Sequence, residues 1–117
     1  MSAVAVQPWL KSYPEGVPAE VTIDPTATLV ELLEGAFRRF ASRDAALCMG
    51  SRLKFRDIDE LSMALGAWLQ AKGLEKGARV AIMMPTVPQY PGVVAAILRA
   101  AMVVENARNR AGAPVVS

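Results

Sequence analysis

Histidine is absent from all 117 residues. That excludes Ser-His-Asp and Cys-His nucleophilic catalysis, and any histidine-ligated metal site. Cysteine occurs once, as Cys48, so no intrachain disulfide can form, which fits a reducing compartment. Cys48 lies in an apolar stretch, where a cysteine usually behaves as a small hydrophobe. There is no Walker-type loop and no GxGxxG pattern. Long apolar runs are missing too: Val93 to Val104 is interrupted by Arg99 and is too short to span a bilayer. The opening residues MSAVAVQPWL lack the basic and long apolar regions of a secretory signal. No internal repeat or low-complexity tract is present.

Aromatics make up 6% of the chain, and Ala, Val, Leu and Met supply most of the 53% apolar content. This exceeds the ~45–50% typical of soluble domains. Two readings stay open: an ordinary core, or apolar surface meant to face more protein. The length suffices for one small domain. Net charge is +2, from 13 basic and 11 acidic residues, interspersed along the chain. The largest basic cluster is Arg38, Arg39 and Arg43. Nucleic-acid binding needs a basic face or stripe, and none is visible.

Residues 1–27 contain Pro8, Pro14, Pro18 and Pro25 without helical periodicity, and read as an extended arm anchored by Trp9, Leu10 and Tyr13. A helix is expected over 29–42. Thr28 and Glu31 have capping-box spacing, and Leu29, Leu32, Leu33, Ala36, Phe37 and Phe40 recur at helical intervals. Glu34 and Arg38 are placed for an i,i+4 pair of ~0.3–0.5 kcal/mol. Arg38, Arg39 and Arg43 suit the negative end of the helix dipole. Strands at 45–49 and 52–55 flank a turn at Gly50-Ser51. A second helix is expected over about 56–72, with Ile58, Leu61, Leu65, Trp68 and Leu69 as its buried stripe and Gly73 just past its end.

Arg79 to Arg99 reads as strand, turn and helix. Val80 to Met84 is a continuous apolar run, as expected of a parallel strand buried on both faces. Pro85 stops it, and Pro88 and Pro91 fall where a helix tolerates proline, in its first turn. Gly92 weakens that helix by roughly 0.5–1 kcal/mol relative to Ala. Strand, loop and helix in this order form half of a βαβ unit.

At these residues the chain resembles the N-terminal region of the adenylate-forming (AMP-binding) acyl-CoA synthetases, in particular the bacterial long-chain fatty acid–CoA ligases. Pro8-Trp9-Leu10-Lys11-Ser12-Tyr13-Pro14 looks like their opening. Val17-Pro18-Ala19-Glu20-Val21 and Leu29-Val30-Glu31-Leu32-Leu33-Glu34 are similar to their next segments. Leu53-Lys54-Phe55-Arg56-Asp57 with Glu60-Leu61 resembles the family's first core motif. Ala67-Trp68-Leu69-Gln70-Ala71-Lys72-Gly73-Leu74 with Lys76-Gly77 looks like its helix and exit turn. The resemblance covers about residues 8–100.

The resemblance implies an α/β fold: a partial N-terminal subdomain with three helices, a β-hairpin and one buried strand. It divides the chain into an arm (1–27), a truncated part of the ligase domain (28–104) and a divergent tail (105–117). Two departures matter. Lys54 stands where the family has a capping Thr or Ser, an expected loss of ~1 kcal/mol unless another group substitutes. Ala101 stands where the family has a helix-stopping Gly, so the last helix is expected to run on towards Ala111, ending at Gly112. The family's next strand and its Asn-Pro loop look absent beyond Val104.

In the family, ATP activates a fatty acid to an acyl-adenylate, and CoA then displaces AMP. ATP, Mg²⁺ and CoA therefore belong to the full-length enzymes, which are several times longer. The family's phosphate loop has no counterpart here, and Thr26-Ala27-Thr28 reads better as a helix cap. No catalytic, cofactor-binding or metal-binding residue is carried over, and no cofactor is expected on this fragment. Asp57, Asp59 and Glu60 are better explained by the helix dipole than as catalytic carboxylates. Met83 and Met84 read as strand core, Tyr90 as packing at a helix start, and Lys72 and Lys76 as solvated turn residues.

Three functional readings compete. The favoured one is an inactive N-terminal fragment of a cytoplasmic long-chain fatty acid–CoA ligase, with peripheral membrane association only in the full-length family. The second is a non-catalytic module docking on a full-length homologue. The third is an unstable remnant. Neither nucleic acid nor metal is an expected partner, whereas self-association through exposed apolar surface is.

Overall fold

The computed structural model describes residues 7–107. A 3-10 helix at Pro8–Ser12 precedes α1 (Leu29–Arg39), β1 (Asp44–Cys48), β2 (Ser51–Lys54) and α2 (Phe55–Gln70). β3 (Arg79–Ile82), α3 (Tyr90–Arg99) and β4 (Val103–Asn106) complete the α/β fold. β1 and β2 form an antiparallel hairpin, and β3 and β4 form a separate parallel pair. In the N-terminal stretch Leu10 is half-buried, while Trp9 and Tyr13 stay exposed rather than anchoring the arm.

Helix α1 starts where expected. Thr28 Oγ1 accepts from the Glu31 N–H at 3.2 Å, and Glu31 Oε2 accepts from the Thr28 N–H at 3.1 Å, a complete capping box. It ends at Arg39, three residues short of the expected 42, because Phe40 and Arg43 turn the chain into β1. The Arg39 and Arg43 guanidiniums lie over the Phe40 ring, 5.5 and 5.3 Å from its centroid. Only Phe37 of the apolar set is buried; Leu29 and Leu32 are exposed.

The hairpin turn is Met49-Gly50, one residue earlier than the expected Gly50-Ser51. Both residues have positive φ, 48° and 83°, and Cys48 pairs with Ser51. Two such residues make the type I′ turn that matches the twist of the strands.

Helix α2 has half of a capping box. The Lys54 N–H donates to Asp57 Oδ2 at 2.7 Å, but the lysine side chain has no acceptor to return. Backbone carbonyls from the α1–β1 loop substitute: Arg43 O accepts from the Phe55 N–H at 3.0 Å, and Ala41 O from the Arg56 N–H at 3.1 Å. The buried stripe differs from expectation. It runs through Ile58, Ser62, Gly66 and Leu69, while Leu61 and Trp68 are exposed. Trp68 instead carries the Lys72 ammonium 4.4 Å from its ring centroid.

Small residues turn inward because α3 crosses α2 closely. A Cβ at Gly66 would lie 3.3 Å from the Ala96 carbonyl oxygen, and one at Gly92 would lie 2.6 Å from Leu61 Cδ2. Gly92 is therefore a contact residue, not merely a weak helix former. Ala95, Ala96 and Ile97 are buried. One core cluster joins Leu69, Ile82, Ile97, Ala100 and Met102, and a second joins Phe37, Ile58 and Ala95.

Helix α3 does not run on towards Ala111. It ends at Arg99, and Ala101 adopts φ +59°, the conformation glycine would favour. The Ala101 N–H donates to Leu98 O and the Met102 N–H to Ile97 O, both at 3.0 Å. These are the paired bonds of a Schellman stop, with Met102 and Ile97 both in the core. The chain then enters β4, a strand where none was expected. β4 pairs in parallel with β3, in the register Arg79↔Val103 to Ile82↔Asn106. Residues of the expected helical extension beyond 107 lie outside the described residues. Burial of β3 also departs from expectation: Ile82 is buried and Val80 half-buried, but Arg79 and Ala81 are exposed.

Candidate functional site

The densest polar constellation is built on Arg99, in the last turn of α3. Its Nη1 donates to Asp59 Oδ1 at 2.7 Å, to Ser62 Oγ at 2.7 Å and to the Asp59 carbonyl at 3.3 Å. Nε donates to Glu34 Oε1 at 3.2 Å. The guanidinium also lies 5.5 Å from the centroid of the buried Phe37 ring. Arg99 thus ties α1, α2 and α3 together. Ser62 is fully buried and satisfied, since its hydroxyl donates to Asp59 O at 2.9 Å while accepting from Arg99.

A cleft of about 340 Å³ adjoins this cluster, between Glu34, Ser62, Met63, Gly66, Gln70 and Arg99. Two carboxylates already engage the guanidinium, so its charge is locally balanced rather than aimed at a ligand. The arrangement clamps helices; it holds no nucleophile paired with a base. The sequence carried one signal of it, an arginine breaking an otherwise apolar helix, which demands a partner. Asp59 and Glu34 as those partners were not legible: Glu34 pairs with Arg99 rather than Arg38, and Asp59 lies beyond the first turn of α2.

A second, smaller cleft of about 200 Å³ lies at the C-terminal ends of β3 and β4, where parallel sheets commonly place ligands. Met84, Thr86, Tyr90 and Asn106 line it, and the Tyr90 hydroxyl donates to Asn106 Oδ1. Met83 and Met84 are exposed here rather than core.

The remaining residues singled out in the sequence are dispersed. Thr28 caps α1 as expected, but Thr26 belongs to a separate turn. Its N–H and hydroxyl donate to Asp24 Oδ1 at 2.9 and 2.7 Å. The Thr26 hydroxyl, then its N–H, hold the Asp24 carboxyl below its ordinary range. Asp57 serves the α2 cap, and Glu60 and Lys76 are exposed. Cys48 is a half-buried free thiol in β1. Among the described residues no group of three His, Cys, Asp or Glu is arranged to hold a metal ion.

Comparison with known proteins decides the lineage. Residues 33–115 match the family model described as AMP-binding enzyme. The chain belongs to this family. The match passes beyond Val104 and includes β4. Curated AMP-binding relatives include long-chain-fatty-acid–CoA ligases of Salmonella typhimurium, 48% identical over 99 residues, and Yersinia pestis, 46% identical over 99 residues. That of Bacillus subtilis is 40% identical over 92 residues. The alignments cover 84%, 84% and 75% of this chain but only 18%, 18% and 16% of those ligases. The chain thus spans about a fifth of the length of the curated relatives it matches.

Solved structures agree at the level of fold. The N-terminal subdomain of Klebsiella oxytoca NpsA superposes with TM-score 0.65 at 24% identity, covering 74% of this chain and 22% of that one. VinN superposes with TM-score 0.68 at 22% identity, covering 75% and 23%. The α/β arrangement is thus a portion of the N-terminal subdomain of adenylate-forming enzymes.

Proposed function

We propose that the chain is the N-terminal part of a long-chain fatty acid–CoA ligase and is inactive by itself. The observation that supports the ligase assignment is the 48% identity over 99 residues to the Salmonella ligase. In the reaction proposed for the whole enzyme, a fatty acid carboxylate attacks ATP to give acyl-adenylate and pyrophosphate. The CoA thiol then displaces AMP to give the thioester. Both steps develop charge on phosphate and acyl oxygens, which requires cations and backbone donors around them. Here the Arg99 guanidinium is engaged in holding three helices, so this portion supplies scaffold. ATP, Mg²⁺, CoA and the acyl chain belong to the remainder of the domain.

The proposed compartment is the cytoplasm, with any membrane association a property of the whole ligase. Among the described residues no helix is long and apolar enough to cross a membrane. A non-catalytic module docking on a full-length homologue is the second reading, supported by the exposed face of the β3–β4 pair.

The test is a chimera in which residues 7–107 replace the matching segment of the Salmonella ligase. Palmitoyl-CoA formation by the chimera, with none from this chain alone, is the expected result. An inactive but folded chimera overturns the ligase reading, and thioester formation by the isolated chain overturns its inactivity.

A further inference from the structure

At the tip of the β1–β2 hairpin Met49 is fully exposed and holds φ +48°. Type I′ turns favour Asn, Asp or Gly at this position, because a Cβ resists positive φ. Ala101, the other non-glycine residue with positive φ among the described residues, is offset by the burial of Met102. Met49 gains no burial. An apolar side chain is held in a disfavoured conformation and presented wholly to solvent, and such an outlier points to a role outside the fold. Leu47, on the outward side of β1, is 66% exposed. The inward residues Ala46 and Leu53 pack against the cluster of Phe37 and Ile58.

Cations surround this apolar tip. Residues 43–56 carry Arg43, Arg52, Lys54 and Arg56 against Asp44 alone. Arg43, Arg52 and Arg56 are exposed, and Asp44 is paired with Arg52 at 2.8 Å. The fold adds Arg39, whose guanidinium shares the Phe40 ring with that of Arg43. Arg56 is held at the same hairpin base, its N–H donating to Ala41 O. Glu60, one turn along α2, is the next exposed carboxylate.

We propose that the β1–β2 hairpin is a membrane-contact element that inserts Met49 and Leu47 into the surface of an anionic bilayer. The inference rests on the hairpin alone. It gives this segment a contact that the ligase reading leaves to the whole enzyme. The dimensions agree. A strand rises about 3.3 Å per residue, so the five residues of β1 set the arginines of the base about 15 Å behind the tip. A tip buried about 5–10 Å into the headgroup boundary leaves those arginines about 5–10 Å from the lipid charge, roughly one Debye length at physiological salt. Basic residues at that range are drawn to an anionic leaflet. A soluble polyanion accounts for the arginines but not for the exposed Met49 and Leu47.

The experiment floats the full chain on vesicles of phosphatidylcholine, with and without phosphatidylglycerol. The expected result is binding to the anionic vesicles that weakens as salt is raised, with new amide-exchange protection at residues 47–52. Met49→Asn suits the turn, so it keeps or raises the melting temperature while lowering partitioning about fivefold. Combined with Leu47→Ser, the loss reaches at least about tenfold. Arg43→Gln with Arg56→Gln lowers binding to anionic vesicles about fivefold. Val21→Asn, at another exposed apolar side chain, leaves binding unchanged. Circular dichroism checks that each variant folds as the parent does.

No binding to anionic vesicles overturns the proposal, as does unaltered binding by a folded Met49→Asn, Leu47→Ser double variant. Equal loss in Val21→Asn overturns it too, since contact is then unspecific. So does capture of duplex DNA without vesicle binding, which makes a polynucleotide the partner of the arginines.

Discussion

Arg99 reaches back 40 residues to place Nη1 2.7 Å from Asp59 Oδ1, linking the end of α3 to the second turn of α2. The same nitrogen supplies the buried Ser62 hydroxyl. Replacing the guanidinium by Arg99→Leu keeps the apolar stem but leaves Asp59, Ser62 and Glu34 without their donor. The expected destabilisation is about 2–3 kcal/mol, the range for charged hydrogen bonds left unmade. Asp59→Asn is expected to cost more than Glu34→Gln. The Glu34 contact is longer, 3.2 against 2.7 Å, and comes from the more exposed of the two carboxylates. Urea unfolding midpoints of the three variants test this order.

Gly92 and Leu61 form a steric pair across α2 and α3. Gly92→Ala alone is expected to lose about 1 kcal/mol, as overpacking outweighs helix propensity. In a Leu61→Ala background the clash is gone, and the same change is expected to gain about 0.5–1 kcal/mol. A double-mutant cycle reads this reversal of sign; additive effects would refute the contact.

Ala101 holds a left-handed conformation at a cost of roughly 1–2 kcal/mol for a residue with a Cβ. Ala101→Gly should therefore raise stability by about 1 kcal/mol, slightly less after the added freedom of glycine in the unfolded chain. A thermal melt of this variant reports it directly. If the substitution instead destabilises, the helix stop does not form as described.

Lys54→Thr completes the capping box that Asp57 already half supplies. The expected gain is about 0.5 kcal/mol, at the low end for a cap, because Arg43 and Ala41 carbonyls already serve the first two amides of α2. Asp57→Ala removes the existing half and should lower the unfolding midpoint.

Asp24 provides a pH signature. Its folded carboxyl titrates below the ordinary 3.8 because Thr26 donates to the charged form. The contribution of this turn to stability is therefore complete above the unfolded value and is lost as pH falls through the depressed one. NMR titration should show the Asp24 carboxyl midpoint below that of the same residue in Thr26→Val.

Much of the local structure was legible because its causes are local. Thr28 and Glu31 set the start of α1 through bonds three residues apart, and the run from Val80 marked a strand by composition alone. The order of matching segments likewise pointed to the AMP-binding family. Tertiary structure decided which residues of each pattern face inward. Periodicity ranks Leu61 and Trp68 with Ile58, yet α3 approaches α2 so closely that small Ser62 and Gly66 take the buried positions where the helices meet. The end of α3 was decided in the same way. Ala101 has no intrinsic preference for positive φ, and a helix continuing through it satisfies every local rule. Burying Met102 beside Ile97 and pairing β4 with β3 offset the strain, and the strand pairing joins residues more than twenty apart in the chain. In the sequence Arg99 only interrupts an apolar run; the packing of three helices supplied Asp59, Ser62 and Glu34 as its partners.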